Sequence, residues 1–384
     1  MKVKLGDICD IFTGGTPSRA VQEYWQGGTT PWVKISDLKN KYINFTEEYI
    51  TEEGLKHSSA KLFKKGTVLY SIFATLGETS ILKIDAATNQ AIAGLNIKDN
   101  RVSTDYLYYY LLSQKDNIAK LGRGVAQNNI NLKILKDFEL NIPCLLKQDI
   151  ITKILDLVCE TISKRKQQLE KLDLLIKSQF NEMFGDPISN PKGWHTKGLL
   201  DLGTCKNGMN FGSMESGVTV KCIGVGDIQD KYSIDGGSGI SLVDLNEIPS
   251  QSYLLEDKDI VFVRSNGNKN LVGRCVIVYV HNEPITFSGF CIRYRNESKE
   301  TKPIFILHLL KQESVRARIV GRGANIQNLN QKILSELKIV LPPIELQKEF
   351  AIFVEQTDKS KLKIKQSLEK LETLKKSLMQ KYFG

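Results

Sequence analysis

The chain has no apolar run near the ~20 residues that a membrane span needs; stretches such as "VIVYV" at 276–280 fall far short. Its first residues, "MKVKLGDICD", contain no apolar segment of the kind a secretory leader carries. There is no Cys-x-x-Cys pair, and the seven cysteines are scattered singly. An odd, dispersed set fits reduced thiols in a cytoplasm better than a disulfide framework. The four histidines (His57, His195, His281 and His308) stand apart from one another, so a zinc site is not expected. Neither a G-x-x-x-x-G-K-[ST] phosphate loop nor a strand-G-x-G-x-x-G-helix unit occurs. "LPPI" at 341–344 has the prolines of an amino-methyltransferase loop, but lacks the polar residue for the target amine and the aromatic that would stack on the base. "EDK" at 256–258 could mimic the end of a nuclease metal site, but such a triplet is common by chance and no paired acidic residue stands out upstream. Catalytic groups are therefore missing, and no metal or cofactor of its own is expected.

What the chain does have is a repeat. "GRGVAQNNINLKIL" at 122–135 returns as "GRGANIQNLNQKIL" at 321–334, 199 positions later. The same offset places Pro342 on Pro143, Gln347 on Gln148, "QSLEKLETLKKS" on "QQLEKLDLLIKS", and Phe383-Gly384 on Phe184-Gly185. A repeat on this scale decides the architecture before any local reading does. The segment after each proline shows an apolar three-four spacing: Leu155, Val158, Ile162, Leu169, Leu172, Ile176 and Met183 in the first copy. The second copy keeps Val354, Leu368, Leu371 and Tyr382, with Ile364 matching Arg165, Leu378 matching Gln179, and Lys361 and Lys375 interrupting the seam. Such a stripe predicts long helices of ~60 Å packed lengthwise on each other, and the two lysines must snorkel or face a partner. Pro143 and Pro342-Pro343 stop helix before each segment, and Gly185-Asp186-Pro187 ends the first one.

The remaining stretches read as mixed strand and helix. "GTVLYSIFA", "DIVFVRS", "RCVIVYV" and "FCIRYR" are β-rich, and "TDYLYYYLLSQ" at 104–114 predicts a short helix whose tyrosines serve the core. "ISDLK" at 35–39 echoes "VGDIQ" at 225–229, but the two stretches otherwise resemble each other only loosely. The expected fold class is α+β: globular α/β domains at 1–143 and 186–342, joined by long antiparallel helices at 144–185 and 343–384. The helices would form a two-helix coiled-coil spacer with pseudo-two-fold symmetry.

Net charge is +10, spread along the chain without a basic tail. An anionic partner would have to be gripped at several places. The loops suit that task. In the first domain "TGGTPSRA" offers Thr16 and Arg19, "TPWVKISDLK" offers Lys34, Ser36 and Lys39, and "FATLGET" with "ATNQA" offers Thr75, Asn89 and Gln90. In the second, "KNGMNFG" offers Lys206, Asn207 and Asn210, and "RSNGNKN" offers Arg264, Asn266, Asn268 and Lys269. Arginine reads guanine, asparagine or glutamine reads adenine, and lysine or a hydroxyl holds phosphate. Each of these residues also suits an ordinary surface turn.

With "TGGTPS", "PWVKISDL", "DAATNQAI", "NINLKIL"/"NLNQKIL", "FVRSNGN", "ITFSGF" and "FNEMFGDP" in this order, the chain resembles the specificity subunit of a type I restriction-modification system. The resemblance covers essentially the whole chain. One departure is "IPCLLKQ", which lacks the second proline and the acidic residue of "LPPIELQ" and bears on helix entry. The resemblance implies two target recognition domains, each reading half of a split site in double-stranded DNA. It implies helices that dock two modification (methyltransferase) subunits, to which restriction (endonuclease/translocase) subunits add. S-adenosylmethionine, and ATP with Mg for restriction, would be bound by those partners. The subunit itself would be a non-catalytic, cytoplasmic DNA reader with no membrane partner. The competing reading is a structural adaptor with two protein-binding heads and no affinity for DNA.

Overall fold

The computed structural model describes residues 2–115, 118, 129–212, 216–229, 231–320 and 328–384. The opening halves of the repeat, 122–128 and 321–327, lie outside the described residues. The chain divides into two compact units: Met1–Lys166 with Lys365–Gly384, and Gln167–Ile364. Both long helices, Leu145–Phe184 and Ile344–Phe383, are 40 residues long and contribute to both units.

In the first unit a five-stranded sheet runs in the order Cys9–Thr13, Ile92–Ile97, Val68–Ser71, Thr79–Leu82, Tyr42–Ile43. All its pairings are antiparallel except the last, where Tyr42 and Ile43 lie beside Ile81 and Leu82 in parallel. A four-stranded sheet is ordered Glu48–Ile50, Thr30–Val33, Ala86–Thr88, Leu62–Phe63, and a ribbon pairs Lys2–Lys4 with Glu139–Asn141. The helix Thr104–Ser113 is capped by Ser103, whose hydroxyl accepts from the Tyr106 N–H. Tyr106, Tyr108, Tyr109 and Tyr110 are buried, as expected of core residues. Three of their hydroxyls stay satisfied by donating: Tyr106 to the Asn141 carbonyl, Tyr110 to the Glu139 carbonyl and Tyr109 to Asp156.

The second unit repeats the ribbon and the five-stranded order with different residues, and has three strands where the first unit's other sheet has four. Its five strands run Gly203–Asn207, Cys291–Asn296, Ile260–Val263, Cys275–Tyr279, Ser233–Asp235, again with only the last pair parallel. A three-stranded sheet is ordered Leu242–Leu245, Val218–Ile223, Ile285–Phe287, and a ribbon pairs His195–Gly198 with Lys338–Leu341. The echo of "ISDLK" in "VGDIQ" is structural as well. Asp37 accepts from the Lys34 N–H at 2.7 Å and Asp227 from the Gly224 N–H at 2.8 Å, each closing the same short helical turn. The loose resemblance of the two stretches thus conceals one shared framework.

The repeated residues hold that framework. Gln148 is fully buried at the start of the first long helix. Its amide donates to the Arg101 carbonyl at 2.6 Å and the Pro143 carbonyl at 2.8 Å, and its oxygen accepts from the Ser103 N–H at 2.9 Å. Gln347, equally buried, repeats all three bonds 199 positions on: to the Glu300 carbonyl at 3.0 Å, the Pro342 carbonyl at 2.9 Å and from the Lys302 N–H at 2.9 Å. Asn131 and Asn330 likewise cap matching short helices through the N–H groups of Ile134 and Ile333, both at 2.9 Å.

The ends of the long helices explain the repeated Phe-Gly. In the second unit Phe184, from the end of the first helix, packs against Phe305 at 4.8 Å and Phe350 at 5.5 Å between ring centroids. In the first unit Phe383, from the end of the second helix, packs against Tyr106 at 5.1 Å. Phe383 and Tyr106 occupy the positions that Phe184 and Phe305 hold one repeat away. Each helix therefore begins in its own unit and ends in the core of the other, and within each unit the two helices run in opposite directions. Of the seam predicted in the first copy, Leu155, Val158, Ile162 and Ile176 are buried, while Leu169, Leu172 and Met183 are half-buried. Lys361, which interrupts it, finds partners: its ammonium lies 2.6 Å from Asp173 on the facing helix and 3.1 Å from Asp358.

Candidate nucleic-acid interface

The loop at 13–20 is fastened from beneath by two indoles. Trp32, buried on the strand Thr30–Val33, donates to the Gly15 carbonyl, and Trp25 donates to the Ser18 carbonyl, both at 3.1 Å. The rings meet edge-on at 5.0 Å, and the Arg19 guanidinium lies over Trp25 at 3.6 Å. Arg19 also pairs with Glu48 at 2.5 Å, and Lys34 pairs with the same carboxylate at 2.8 Å and with Glu47 at 3.2 Å. The hydrogen bonds to Glu48 and Glu47 raise the Lys34 pKa above its ordinary value. Partial burial works to raise the Glu48 pKa, but the bonds from Lys34 and Arg19 outweigh it and hold the carboxyl below its usual range. Two of the predicted DNA contacts, Arg19 and Lys34, are thus paired in the free protein with an acidic pair that sequence reading passed over. No local motif marks those two acids; they follow Lys34 by thirteen and fourteen positions.

Thr16 donates its hydroxyl to the Gln90 side-chain oxygen, so these two predicted residues come together. Asn89 is half-buried and shapes the turn instead, its oxygen accepting from the Ala91 N–H at 3.1 Å. Ser36, Lys39 and Thr75 are exposed.

In the second unit Lys206 donates to the Ser252 hydroxyl at 3.0 Å and lies over the Tyr253 ring at 4.3 Å. Asn207 and Asn210 are exposed. The sequence suggests that Arg264 is thrust outward at a strand end. It is half-buried, and its guanidinium donates to the Gly289 carbonyl at 3.2 Å. Asn266 and Asn268 follow the turn alternative in part: their side-chain oxygens accept from the N–H groups of Asn268 and Asn270 at 2.8 and 3.1 Å. Lys269 is exposed on the short turn that Asn268 caps. Gly289 lies directly beneath the Asn210 side chain: a Cβ there would fall 1.9 Å from the Asn210 oxygen, which would have to swing away. Asn210, Arg264 and Gly289 therefore form one cluster. Among the described residues no group of three or more His, Cys, Asp and Glu side chains is placed to hold a metal ion. No described helix is long and apolar enough to cross a membrane.

The model of the type I restriction modification DNA specificity domain matches this chain twice, over residues 1–173 and 191–375. The chain belongs to that family. Members similar to it include the MjaIX specificity subunit of Methanocaldococcus jannaschii, 30% identical over 285 residues that make up 68% of this chain and 65% of that one. The StySPI specificity subunit of Salmonella potsdam is 24% identical over 392 residues, 94% of this chain and 83% of that one. Among solved structures, the type I restriction-modification S subunit from M. genitalium matches with a TM-score of 0.56 at 18% identity, covering all of this chain and 96% of that one. A chain from a study of complex assembly and conformational transition in a type I system matches with a TM-score of 0.63 at 16% identity, covering all of this chain and 97% of that one. At such identities the structural likeness concerns the fold: two mixed α/β units carried on long helices.

Proposed function

We propose that this chain is the sequence-specificity subunit of a type I restriction-modification complex, in which each unit reads one half of a bipartite, asymmetric site in double-stranded DNA. The observation that carries this reading is the contrast between framework and loops. The framework repeats bond for bond at Gln148 and Gln347. The loops at the equivalent strand ends carry different polar residues, with Thr16 and Gln90 in one unit and Asn210 and Arg264 in the other. A scaffold that must receive two copies of one partner is held alike, while readers of two different half-sites diverge.

In this reading Arg19, Lys34, Lys39, Lys206 and Lys269 serve phosphates. Ser36, Thr75, Gln90, Asn207 and Asn210 face base edges or sugar. Thr16, Asn89, Arg264, Asn266 and Asn268 shape the loops that present them. The helices dock two modification subunits and set the spacing between half-sites, and restriction subunits join that assembly. The chain is non-catalytic and works in the cytoplasm; S-adenosylmethionine, and ATP with Mg, belong to the partners.

The test is reconstitution. The purified chain alone should neither methylate nor cleave DNA, and methyl transfer should appear only when a modification subunit and S-adenosylmethionine are added. Binding to duplex should weaken steeply with salt, because phosphate contacts release counterions. Methylation by the isolated chain overturns the non-catalytic assignment. Salt-insensitive behaviour without duplex binding favours an adaptor with protein-binding heads.

A further inference from the structure

The strand ends that carry the polar loops also carry an exposed aromatic ring in each unit, at neighbouring rather than equivalent positions. The register of the hydrogen bonds shows how the positions match. In the first unit the Ile72 N–H donates to the Ala91 carbonyl at 2.8 Å, and the Ile72 carbonyl accepts from the Ile130 N–H at 2.9 Å. In the second, the Arg264 N–H donates to the Phe290 carbonyl and the Arg264 carbonyl accepts from the Leu329 N–H, both at 2.8 Å. Phe73 then bridges to Asn129, and Ser265 to Asn328. Ile72 thus matches Arg264, Phe73 matches Ser265, and Ala91 matches Phe290. The first unit places its ring on the strand and a methyl on the turn; the second places a hydroxyl on the strand and its ring on the turn.

Both rings are open to solvent, Phe290 at 62% and Phe73 at 39%. A single exposed aromatic needs no explanation. Two rings at neighbouring positions of the same strand end, in units whose loops otherwise differ, do. The turn that presents Phe290 is also firmly held. Gly289 donates to the Met209 carbonyl at 2.6 Å, Ser288 to the Ile223 carbonyl at 3.0 Å, and Phe290 to the Ser288 hydroxyl at 3.2 Å. Arg264 fixes the same turn through the Gly289 carbonyl. A ring carried on a fixed backbone has only its own side-chain torsions to order when it meets a partner.

We propose that Phe290 and Phe73 are specificity contacts, each packing on the methyl group of a thymine in the half-site read by its unit. This rests on the DNA-reading function proposed above. The major groove offers one apolar feature among its donors and acceptors, the C5 methyl of thymine, and an apolar side chain is what distinguishes it. Arg264 acts here as a positioning residue for the Phe290 turn.

The experiment uses the complete complex of this chain with its modification subunits, bound to the duplex recovered by methylation mapping. Each thymine is replaced singly by uracil, which removes the methyl and leaves the pairing edge unchanged. The wild-type complex should lose about fourfold in affinity, the scale of one buried methyl-sized group, at one thymine in each half-site. Phe290→Ala should abolish that sensitivity in the second half-site and leave the first intact, and Phe73→Ala should do the converse. Phe45→Ala, which alters a ring 75% exposed elsewhere in the first unit, should behave as wild type. Uracil sensitivity that persists in Phe290→Ala and Phe73→Ala overturns the assignment, as does its absence at every thymine in the wild type. Failure of the wild-type complex to prefer any duplex sinks the DNA-reading function itself, a different outcome from either.

Discussion

Replacing Gln347 with alanine tests whether the repeat exists to hold the helix entry. Its side chain is fully buried and makes three hydrogen bonds, donating to the Glu300 and Pro342 carbonyls and accepting from the Lys302 N–H. Truncation orphans two acceptors and one donor, the Pro342 carbonyl in a buried place and the other two partly buried. Each orphaned group costs about 1–3 kcal/mol, so the loss should be at least about 3 kcal/mol. That is a large part of the ~5–15 kcal/mol that holds an ordinary domain together. With a urea slope of about 2 kcal/mol per molar, the midpoint of the second unit should fall by about 1.5 M. Gln347→Glu is the sharper comparison. A carboxylate still accepts from Lys302 but turns a charged oxygen on two carbonyls, so it should be no milder than alanine. Gln148→Ala should cost the first unit a similar amount, because its three bonds are the same. A midpoint shift below about 0.5 M for Gln347→Ala, or a well-tolerated glutamate, refutes the reasoning.

Glu48→Gln should release Arg19 and weaken the hold on Lys34; if these cations then meet phosphate, duplex affinity should rise and the salt slope steepen by about 0.9–1.8, and an unchanged slope removes both residues from the interface. His308 is buried between Tyr232 and Phe350, and burial together with Lys311 and Lys361 lowers its pKa from 6.5 to about 3. The unfolded chain therefore takes up this proton first, so stability should be lost as pH falls from about 6.5 toward 3. His308→Phe should remove that part of the acid sensitivity in urea titrations at several pH values, and an identical pH profile contradicts it. A fragment of residues 1–185 keeps Phe184 but lacks the Phe383 that packs on Tyr106; it should dimerise, each Phe184 filling the other copy's vacant place, and a folded monomer in sedimentation would exclude this.

The long helices were legible because their signals are local: prolines before them, an apolar seam within them, glycine after the first. The tyrosine helix was legible for the same reason. The shared strand order of the two units was not, since strand pairing is set by contacts distant in sequence, and loops of different length shift the register between them. The repeated glutamine was visible as an identity, but its role depends on carbonyls at 101 and 300 that no periodicity marks. At the candidate interface the loop residues were legible as types. Their engagements were not: Glu48, 29 positions away, pairs with Arg19, and the Arg264 guanidinium bonds the Gly289 carbonyl. Phe290 and Phe73 went unnoticed because an exposed ring has no sequence signature until its neighbours are placed.

The central claim is that two units on one repeated scaffold read two separate half-sites. Mapping methylated bases across the genome of a host that expresses the complete system tests it most directly, with a second host carrying residues 190–320 replaced by those of another family member. The account predicts a split motif with a fixed gap, and a replacement that changes one half while the other half persists. A single uninterrupted motif, or a replacement that alters both halves together, would contradict it.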